Sequence, residues 1–273
     1  AKVGVVLFFS ACLCKRDQSG EHKLKGRYRE PIQSLRKFWY WSDLHDIWYL
    51  VLILVVLVVL LILEPHLSGT ILICAAAAAV FFAAGVKLFW FILGGGLGVV
   101  GVWILLVVVG YNGERLRTWR NPWWDAGDKS YQILQSILAV ASGGLNGLGL
   151  GMSRQKYRYL PEEQNDFIFA IVCEELGFIG AAIIIILFAL LIIRGYWLAL
   201  HARDRFGALV IVGFTTLLAV QVFMNIAVVI NLIPATGISL PFFSYGGTAL
   251  IIQLAEMGVI LSVSRQIPAP AQE

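Results

Sequence analysis

The stretch "LPEEQNDFIFAIVCEELGFIG", residues 160–180, is the clearest indication of the fold class. A cluster of acids and amides leads there into an apolar segment that continues to about residue 193. Since an α-helix rises 1.5 Å per residue, about 20 apolar residues suffice to cross the roughly 30 Å hydrocarbon core of a bilayer. We therefore predict a membrane-spanning helix over residues 166–193 that carries carboxylates both at its mouth and inside it.

The rest of the chain is also strongly apolar. Its 273 residues are 59% hydrophobic and 14% charged, with a mean hydropathy of +0.80, outside the usual composition of soluble domains. We predict an all-α polytopic membrane protein, a single domain over residues 1–273, with seven transmembrane helices at about 1–14, 47–63, 69–85, 88–110, 166–193, 206–230 and 246–264. The sequence begins at Ala1, without Met or a signal peptide, so we expect it to continue a longer protein.

Charge placement predicts the orientation. The segment "KRDQSGEHKLKGRYREPIQSLRK", residues 15–37, has eight Lys or Arg and three acids, and the positive-inside rule places it in the cytoplasm. Alternation then puts residues 111–165 outside as one long extracytoplasmic loop, so nucleic acid is excluded as a partner there. Within this loop "SYQILQSILAVASGG", residues 130–144, has helical apolar spacing and predicts an amphipathic helix against the bundle or the outer interface.

Acids inside a span are costly, so their default interpretation is functional. Asp166 begins the span, where it either caps the helix or acts as a general base at the outer leaflet. Glu174 and Glu175 follow eight and nine residues later, about 12 Å deeper. They are either a hydrogen-bonded helix-packing pair or, with Glu256, relays in a transport pathway.

Cations precede these acids. "SRQKYRYLP", residues 153–161, contains Arg154, Lys156 and Arg158 with tyrosines between them. One interpretation is an interfacial belt in which the cations meet lipid headgroups. The other is a clamp for phosphate groups, with the three arginines of residues 115–120 in reserve.

A second irregular segment, "NLIPATGISLPFFSYGGTAL" at residues 231–250, has prolines and glycines but no charge. At membrane depth such a backbone must be buried in protein or line a polar cavity. The segment is either a re-entrant loop over a site or a tight turn. The polar residues that continue this lining are Gln221, Asn225, Asn231, Gln253 and Glu256.

Four stretches together resemble the SEDS family (shape, elongation, division and sporulation), in particular its FtsW and SpoVE branch. They are "NPWWDAGDKSYQILQSILAVASGG" (121–144), "GLGLGMSRQKYRYLPEEQNDFIFAIVCEELGFIGA" (147–181), "PATGISLPFFSYGGTAL" (234–250) and "SVSRQ" (262–266), in family order and spacing. Nearer the beginning, "AKVGVVLFF" and "EPHLSGT" are similar to the family's "SExxK" and "EPDLGT" motifs, with Lys2 on the family's lysine.

The resemblance implies a fold of ten spans, three of which would precede this chain. It also implies polymerisation of lipid II into glycan strands at the outer face of the bacterial cytoplasmic membrane, with Asp166 as the catalytic base. Substrate contacts are expected from Arg154, Lys156, Arg158, Glu162, Lys2, Ser244, Gly246 and Gly247. The implied partners are a class B penicillin-binding protein and other division proteins, and the implied cofactor is Mg²⁺ or Mn²⁺.

Since only one carboxylate has an obvious role, we expect direct inverting displacement rather than a covalent glycosyl-enzyme. The chain departs from the family pattern at His66 and at Gln164 and Asn165, which replace an Asp and a His-Thr pair beside the catalytic residue. Two other functions stay open, a lipid II flippase or transporter and a division scaffold. The absence of an inverted repeat or paired broken helices in the sequence speaks against transport.

Overall fold

The computed structural model describes residues 1–24, 42–64, 67–107, 113–128, 130–156, 160–161 and 164–267. Within these ranges the regular secondary structure is helical throughout. In chain order the helices are α1 (Lys2–Leu24), α2 (Ser42–Leu63), α3 (Leu67–Ala83), α4 (Leu88–Val107), α5 (Gly113–Arg120), α6 (Tyr131–Gly143), α7 (Ile168–Leu200), α8 (Arg205–Val229) and α9 (Gly247–Ser264). The predicted all-α class is confirmed, and each of the seven predicted spans falls on one of these helices.

The apolar faces of the long helices identify a polytopic membrane protein. By length and composition, α7, α8 and α9 can each cross a bilayer, and two shorter apolar helices cover Trp48–Leu63 and Ser68–Ala83. Large apolar side chains on α7, such as Ile186, Leu187 and Leu190, are more than half exposed. Exposed aliphatic surface of this kind is stable in lipid and costly in water.

The described helices cluster into two compact units, of which the first comprises residues 1–90, 196–216 and 259–273. Its core is built where α1 and α3 pack together, with the rings of Phe9 and Phe81 stacked at 5.3 Å. Gly213 of α8 lets the backbone approach closely, because a Cβ there would press against Val6 and Val80. Small residues at such contacts are how helices associate in membranes, where water does not drive them together.

The second unit comprises residues 91–195 and 217–258. Its core surrounds the first half of α7, where Phe167, Phe169 and Ala170 are buried among side chains of α8 and of residues 230–246. The predicted amphipathic helix is confirmed as α6. It buries Ile133 and Leu134, and its Ser136 hydroxyl donates to the Val229 carbonyl at 2.9 Å, so that it packs against the helices of the bundle.

Helix α7 is interrupted at Gly177, whose φ of 64° and ψ of −167° are not helical. The sequence predicts a continuous span here, and the break was not foreseen. Glycine reaches a left-handed φ without the steric cost that a Cβ imposes. A break at membrane depth frees backbone groups, and each one left unpaired in hydrocarbon costs several kcal/mol.

Residues 144–149 satisfy the groups that the break leaves free. Four reciprocal bonds join the two backbones: Leu148 N to Glu174 O (3.0 Å), Gly149 N to Glu175 O (3.0 Å), Phe178 N to Gly144 O (2.9 Å) and Ile179 N to Leu145 O (3.2 Å). The contact is so close that a Cβ on Gly143, Gly147 or Gly177 would overlap backbone atoms. Helix α6 therefore runs beside α7 in the same direction and ends at the break.

Candidate active site

The segment before α7 is anchored to the irregular segment that follows α8. The Ser244 hydroxyl donates to the Asn165 carbonyl at 2.7 Å, and the Tyr245 amide donates to the Gln164 carbonyl at 2.8 Å. From α8, the Asn225 side-chain amide donates to two carbonyls, those of Asp166 and Ile238, each at 2.7 Å. These bonds fix the backbone that carries the Asp166 carboxylate.

Asp166 is half-buried and lines a cavity of about 390 Å³. The other residues around this cavity come from α5, α6, the beginning of α7 and the segment after α8: Glu114, Arg115, Thr118, Gln132, Ile133, Phe167, Ala235 and Gly237. A Cβ on Gly237 would lie 3.5 Å from the Asp166 Oδ2 atom, and the φ of Gly237 is +68°. A side chain at position 237 would thus be strained by this φ, and its Cβ would contact the carboxylate.

Helix α5 brings a cation to the same cavity. Among the described residues that line it, Arg115 is the one cation, and its guanidinium donates to the Ala235 carbonyl at 3.4 Å. The helix is tied to the end of α8 because the Trp119 indole donates to Asn231 O at 3.1 Å and the Asn231 amide donates to Trp119 O at 3.4 Å. Asn231 holds a φ of 56°, which asparagine tolerates better than most residues.

The other two arginines of α5, Arg117 and Arg120, line a second cavity of about 810 Å³. The Arg117 guanidinium lies 4.8 Å from the centre of the Trp124 ring, in a cation–π contact. Residue 114 lines both cavities, so Glu114 is a second carboxylate near Asp166. The sequence alone does not indicate Glu114 as a residue of the site.

Glu174 and Glu175 act as hydrogen-bond acceptors for residues 153–156. The buried Glu174 carboxylate accepts from the Ser153 hydroxyl and from the amides of Arg154 and Gln155, the last two at 3.1 and 3.4 Å. The Glu175 carboxylate accepts from the Ser153 amide and from the Lys156 ammonium, both at 3.3 Å. These contacts agree with the packing interpretation of the pair.

The described residues of the predicted cationic clamp do not lie together at the Asp166 cavity. Lys156 is paired with Glu175 and also donates to the Gly151 carbonyl, while Arg154 is exposed and contributes its backbone amide to Glu174. Among the described residues around the Asp166 cavity, neither Arg154 nor Lys156 is present. Arg158 and Glu162 lie outside the described residues, as does His66.

The remaining predicted substrate contacts lie elsewhere. Ser244 uses its hydroxyl to hold Asn165, which gives it a positioning contact. Gly246 and Gly247 form the start of α9, where the Gly246 carbonyl accepts from Leu250 N at 2.8 Å. Lys2 begins α1 in the first unit. The roles of these four residues in binding substrate stay predictions.

Two contributors were not foreseen as part of one site. The sequence favours Arg154, Lys156 and Arg158 over Arg115, because the distance of Arg115 along the chain hides its proximity to Asp166. Asn225 carried a usable signal, since an amide inside an apolar span is costly unless it has partners. For metal binding, no group of three or more His, Cys, Asp or Glu side chains is clustered within the described ranges.

With this geometry established, comparison with known proteins gives the family. A family model for FtsW, RodA and SpoVE, described as cell cycle proteins, matches residues 1–268. Stage V sporulation protein E of Bacillus subtilis (strain 168) is 47% identical over 203 residues, which cover 74% of this chain and 55% of that protein. A probable peptidoglycan glycosyltransferase FtsW of Geobacter sp. (strain M18) is 41% identical over 222 residues, or 81% of this chain and 60% of that protein.

Solved structures share the fold. One is a chain from a peptidoglycan synthase complex described as coordinating polymerisation and crosslinking, with a TM-score of 0.71 and 26% identity over 99% of this chain and 70% of that chain. Another is the rod shape determining protein RodA of Thermus thermophilus, with a TM-score of 0.59 and 25% identity over 99% of this chain and 65% of that chain. The chain spans a little over half the length of the two curated relatives above.

Proposed function

Because this chain belongs to the FtsW, RodA and SpoVE family, we propose that it is a peptidoglycan glycosyltransferase of the SEDS type that polymerises lipid II. We place the reaction at the outer face of the bacterial cytoplasmic membrane, in division or sporulation. The observation that carries this proposal is the joint lining of one cavity of about 390 Å³ by the Asp166 carboxylate and the Arg115 guanidinium. A base and a cation in one cavity are what transfer of a glycosyl group from a pyrophosphate requires.

The proposed reaction is a direct displacement at the anomeric carbon of the donor sugar. A hydroxyl of the acceptor sugar forms the new C–O bond as the bond to the lipid pyrophosphate breaks. Asp166 takes the hydroxyl proton, a contribution worth about 10²- to 10⁴-fold for general bases. The electron pair of the broken bond leaves on the pyrophosphate, and Arg115 stabilises the charge that develops there.

The backbone contacts around Asp166 prepare the base for this role. Asn225, Ser244 and the Tyr245 amide bind the carbonyls of three consecutive residues, 164–166, so the carboxylate is held on a rigid support. Misplacement of a catalytic group by about 1 Å can cost 10²-fold in rate. We therefore assign Asn225 and Ser244 as positioning residues, which act through Asp166.

A divalent cation fits the residues of the cavity. Glu114 lines it beside Asp166 and would offer the carboxylate oxygens that Mg²⁺ or Mn²⁺ prefers, while Asp166 stays the base, and substrate phosphates commonly complete such sites. A bound ion would neutralise charge on the pyrophosphate. In the proposed reaction Glu114 is not the nucleophile, so Glu114→Gln is expected to raise the Mg²⁺ requirement without abolishing glycan synthesis, and the wild-type product is expected to have an inverted anomeric configuration. Retention of configuration would instead indicate a glycosyl-enzyme.

We also propose partners from the family resemblance. The solved structure that contains the similar chain is described as a peptidoglycan synthase complex that coordinates polymerisation and crosslinking. A class B penicillin-binding protein and other division proteins are therefore the partners that we expect for this chain. Co-purification with a candidate transpeptidase tests this pairing. Arg158, Glu162 and Lys2 remain proposed substrate contacts.

The function is tested by polymerisation of purified lipid II with the Asp166→Asn variant. We expect glycan synthesis to fall at least about 10²-fold while the thermal unfolding temperature stays unchanged. Asp128→Asn is the matched control, because it makes the same chemical change at an exposed position of the preceding segment. Polymerisation by Asp166→Asn at the wild-type rate would refute the base and favour transport or scaffolding.

A further inference from the structure

A patch of exposed apolar side chains lies on the segment that joins α6 to residues 153–156. We call residues 144–152 the hairpin tip. Its large apolar side chains Leu145, Leu148, Leu150 and Met152 are 69%, 42%, 77% and 68% exposed. The sequence placed this segment in an extracytoplasmic loop, where so much exposed aliphatic surface would be costly.

The four backbone bonds to α7 fix the position of the tip along a membrane span. Leu145 bonds to Ile179, and Leu148 bonds to Glu174. Counted from Arg194, near the opposite end of α7, Ile179 lies 15 residues away, or about 22 Å at 1.5 Å per residue. With Arg194 taken as the inner end of the span that the sequence predicts at 166–193, this height of Ile179 falls within the roughly 30 Å hydrocarbon core, in the leaflet on the Asp166 side.

The tip is also continuous with a lipid-facing surface. Phe178 and Ile179 follow the break in α7 directly and are 67% and 53% exposed. They bond to the tip through their amides and belong to a helix that can cross the membrane. A surface that continues the exposed face of a span at the same height meets the same surroundings.

From these observations we infer that the hairpin tip inserts into the bilayer and that Leu145, Leu148, Leu150 and Met152 contact lipid acyl chains. Helix α6 and the tip then form a re-entrant element within residues 111–165. Irregular backbone is tolerated at such depth only when its polar groups are paired. The bonds to α7, together with Glu174 and Glu175 as acceptors for the returning segment, provide this pairing. The inference does not depend on the proposed function.

Spin-label accessibility tests the insertion. A nitroxide is attached at Leu150→Cys in a background whose four native cysteines are replaced by alanine, and the protein is reconstituted in vesicles of phosphatidylcholine and phosphatidylglycerol. The ratio of oxygen to nickel-chelate accessibility is expected to be several-fold higher than at Asp128→Cys, an exposed polar position, and to match that at Ile186→Cys on the lipid-facing side of α7. Nickel access equal to that at Asp128→Cys would place the tip in water.

A third outcome also contradicts the inference. If the label at position 150 is shielded from both oxygen and nickel, protein rather than lipid covers the tip, either a second copy or another segment of this chain. A second measurement needs no substitution, because a diazirine carried on a lipid acyl chain can be photolysed beside the unaltered protein. We expect crosslinks on peptides covering residues 145–152 and none on residues 121–128. The reverse pattern would overturn the proposal even if the cysteine-free background fails to fold.

Discussion

Two acidic regions of the same helix are held in opposite ways. At the mouth of α7, other residues bind the backbone around Asp166, and its carboxylate lines a cavity. About 12 Å further along the helix, the Glu174 and Glu175 carboxylates themselves accept hydrogen bonds from residues 153–156. At the first region, other residues hold the backbone and the carboxylate lines a cavity. At the second region, the carboxylates themselves hold residues 153–156 in place.

This difference separates acids for chemistry from acids for structure. A buried carboxylate that accepts several bonds has a defined structural task, and its removal leaves donors unpaired. A carboxylate on a rigid support beside a cavity can exchange a proton with a ligand. The acids share an apolar surrounding and are close in sequence, so composition alone cannot assign the two roles.

The largest expected effect is on the structural side. Gly147→Ala would place a Cβ against the Glu175 carbonyl and strain a residue whose φ is +77°. We expect a loss of at least about 3 kcal/mol in the free energy of unfolding, from strain and steric overlap together. Gly127→Ala is the control, because nothing lies within 4 Å of a Cβ at that position. Equal thermal unfolding temperatures for the two variants would contradict the docking of the tip in the break of α7.

Glu174→Gln tests the acceptor role directly. The change turns one carboxylate oxygen into a donor. This donor would oppose either the Arg154 amide, at Oε1, or the Ser153 hydroxyl and the Gln155 amide, at Oε2, so we expect a loss of about 2–4 kcal/mol in unfolding free energy. The partly exposed pair of Glu175 with Lys156 is worth less, and Glu175→Gln is expected to cost about 1 kcal/mol or less. Chemical unfolding in detergent compares the two. An equal or inverted order would remove the distinction between them.

On the chemical side, Arg115→Ala should reduce lipid II polymerisation by about 10²-fold, because a donor to the leaving group's charge is lost. Arg154→Ala is the matched comparison. Its guanidinium is exposed and absent from the described lining of the Asp166 cavity, so we expect a loss within about threefold, that of a peripheral charge. A larger loss for Arg154→Ala would restore the clamp that the sequence suggested and would weaken the assignment of Arg115.

Apart from the comparison variants, the smallest effect is expected at Asn225, which supports Asp166 through the backbone. Asn225→Ala removes two bonds of 2.7 Å and should cost about 1–2 kcal/mol in unfolding free energy. It should also lower kcat more than it raises KM. Gln221→Ala, one turn earlier on α8 and also buried, is expected to leave kcat near the wild-type value. A kcat for Asn225→Ala equal to that of Gln221→Ala would show that Asn225 serves packing alone.

The sequence predicted the helices well because long apolar runs leave few alternatives in a bilayer. The break at Gly177 escaped prediction, since glycine is common in membrane helices and its conformation depends on the distant segment at 144–149. Dependence on distant segments is also the reason why the sequence predicted only part of the site. Arg154 and Lys156 were favoured for their proximity to Asp166 in sequence, whereas Arg115 reaches the cavity through contacts of α5 with the end of α8.

Asp166 itself was accessible from sequence only through the family resemblance, because an acid before an apolar helix suits a cap equally well. For Asn225 the sequence does carry a signal, because an amide within a membrane span is costly unless it has hydrogen-bond partners. Its two carbonyl partners, however, belong to segments that only the folded chain brings together.

The different roles of Asp166 and Glu174 are tested by two measurements on two variants, the rate of glycan synthesis from purified lipid II and the thermal unfolding temperature. We expect Asp166→Asn to lose polymerisation and keep its unfolding temperature, whereas Glu174→Gln should lose thermal stability and, below its unfolding transition, keep most of its activity. Contradiction would come from an active Asp166→Asn variant, or from a stable Glu174→Gln variant that cannot polymerise.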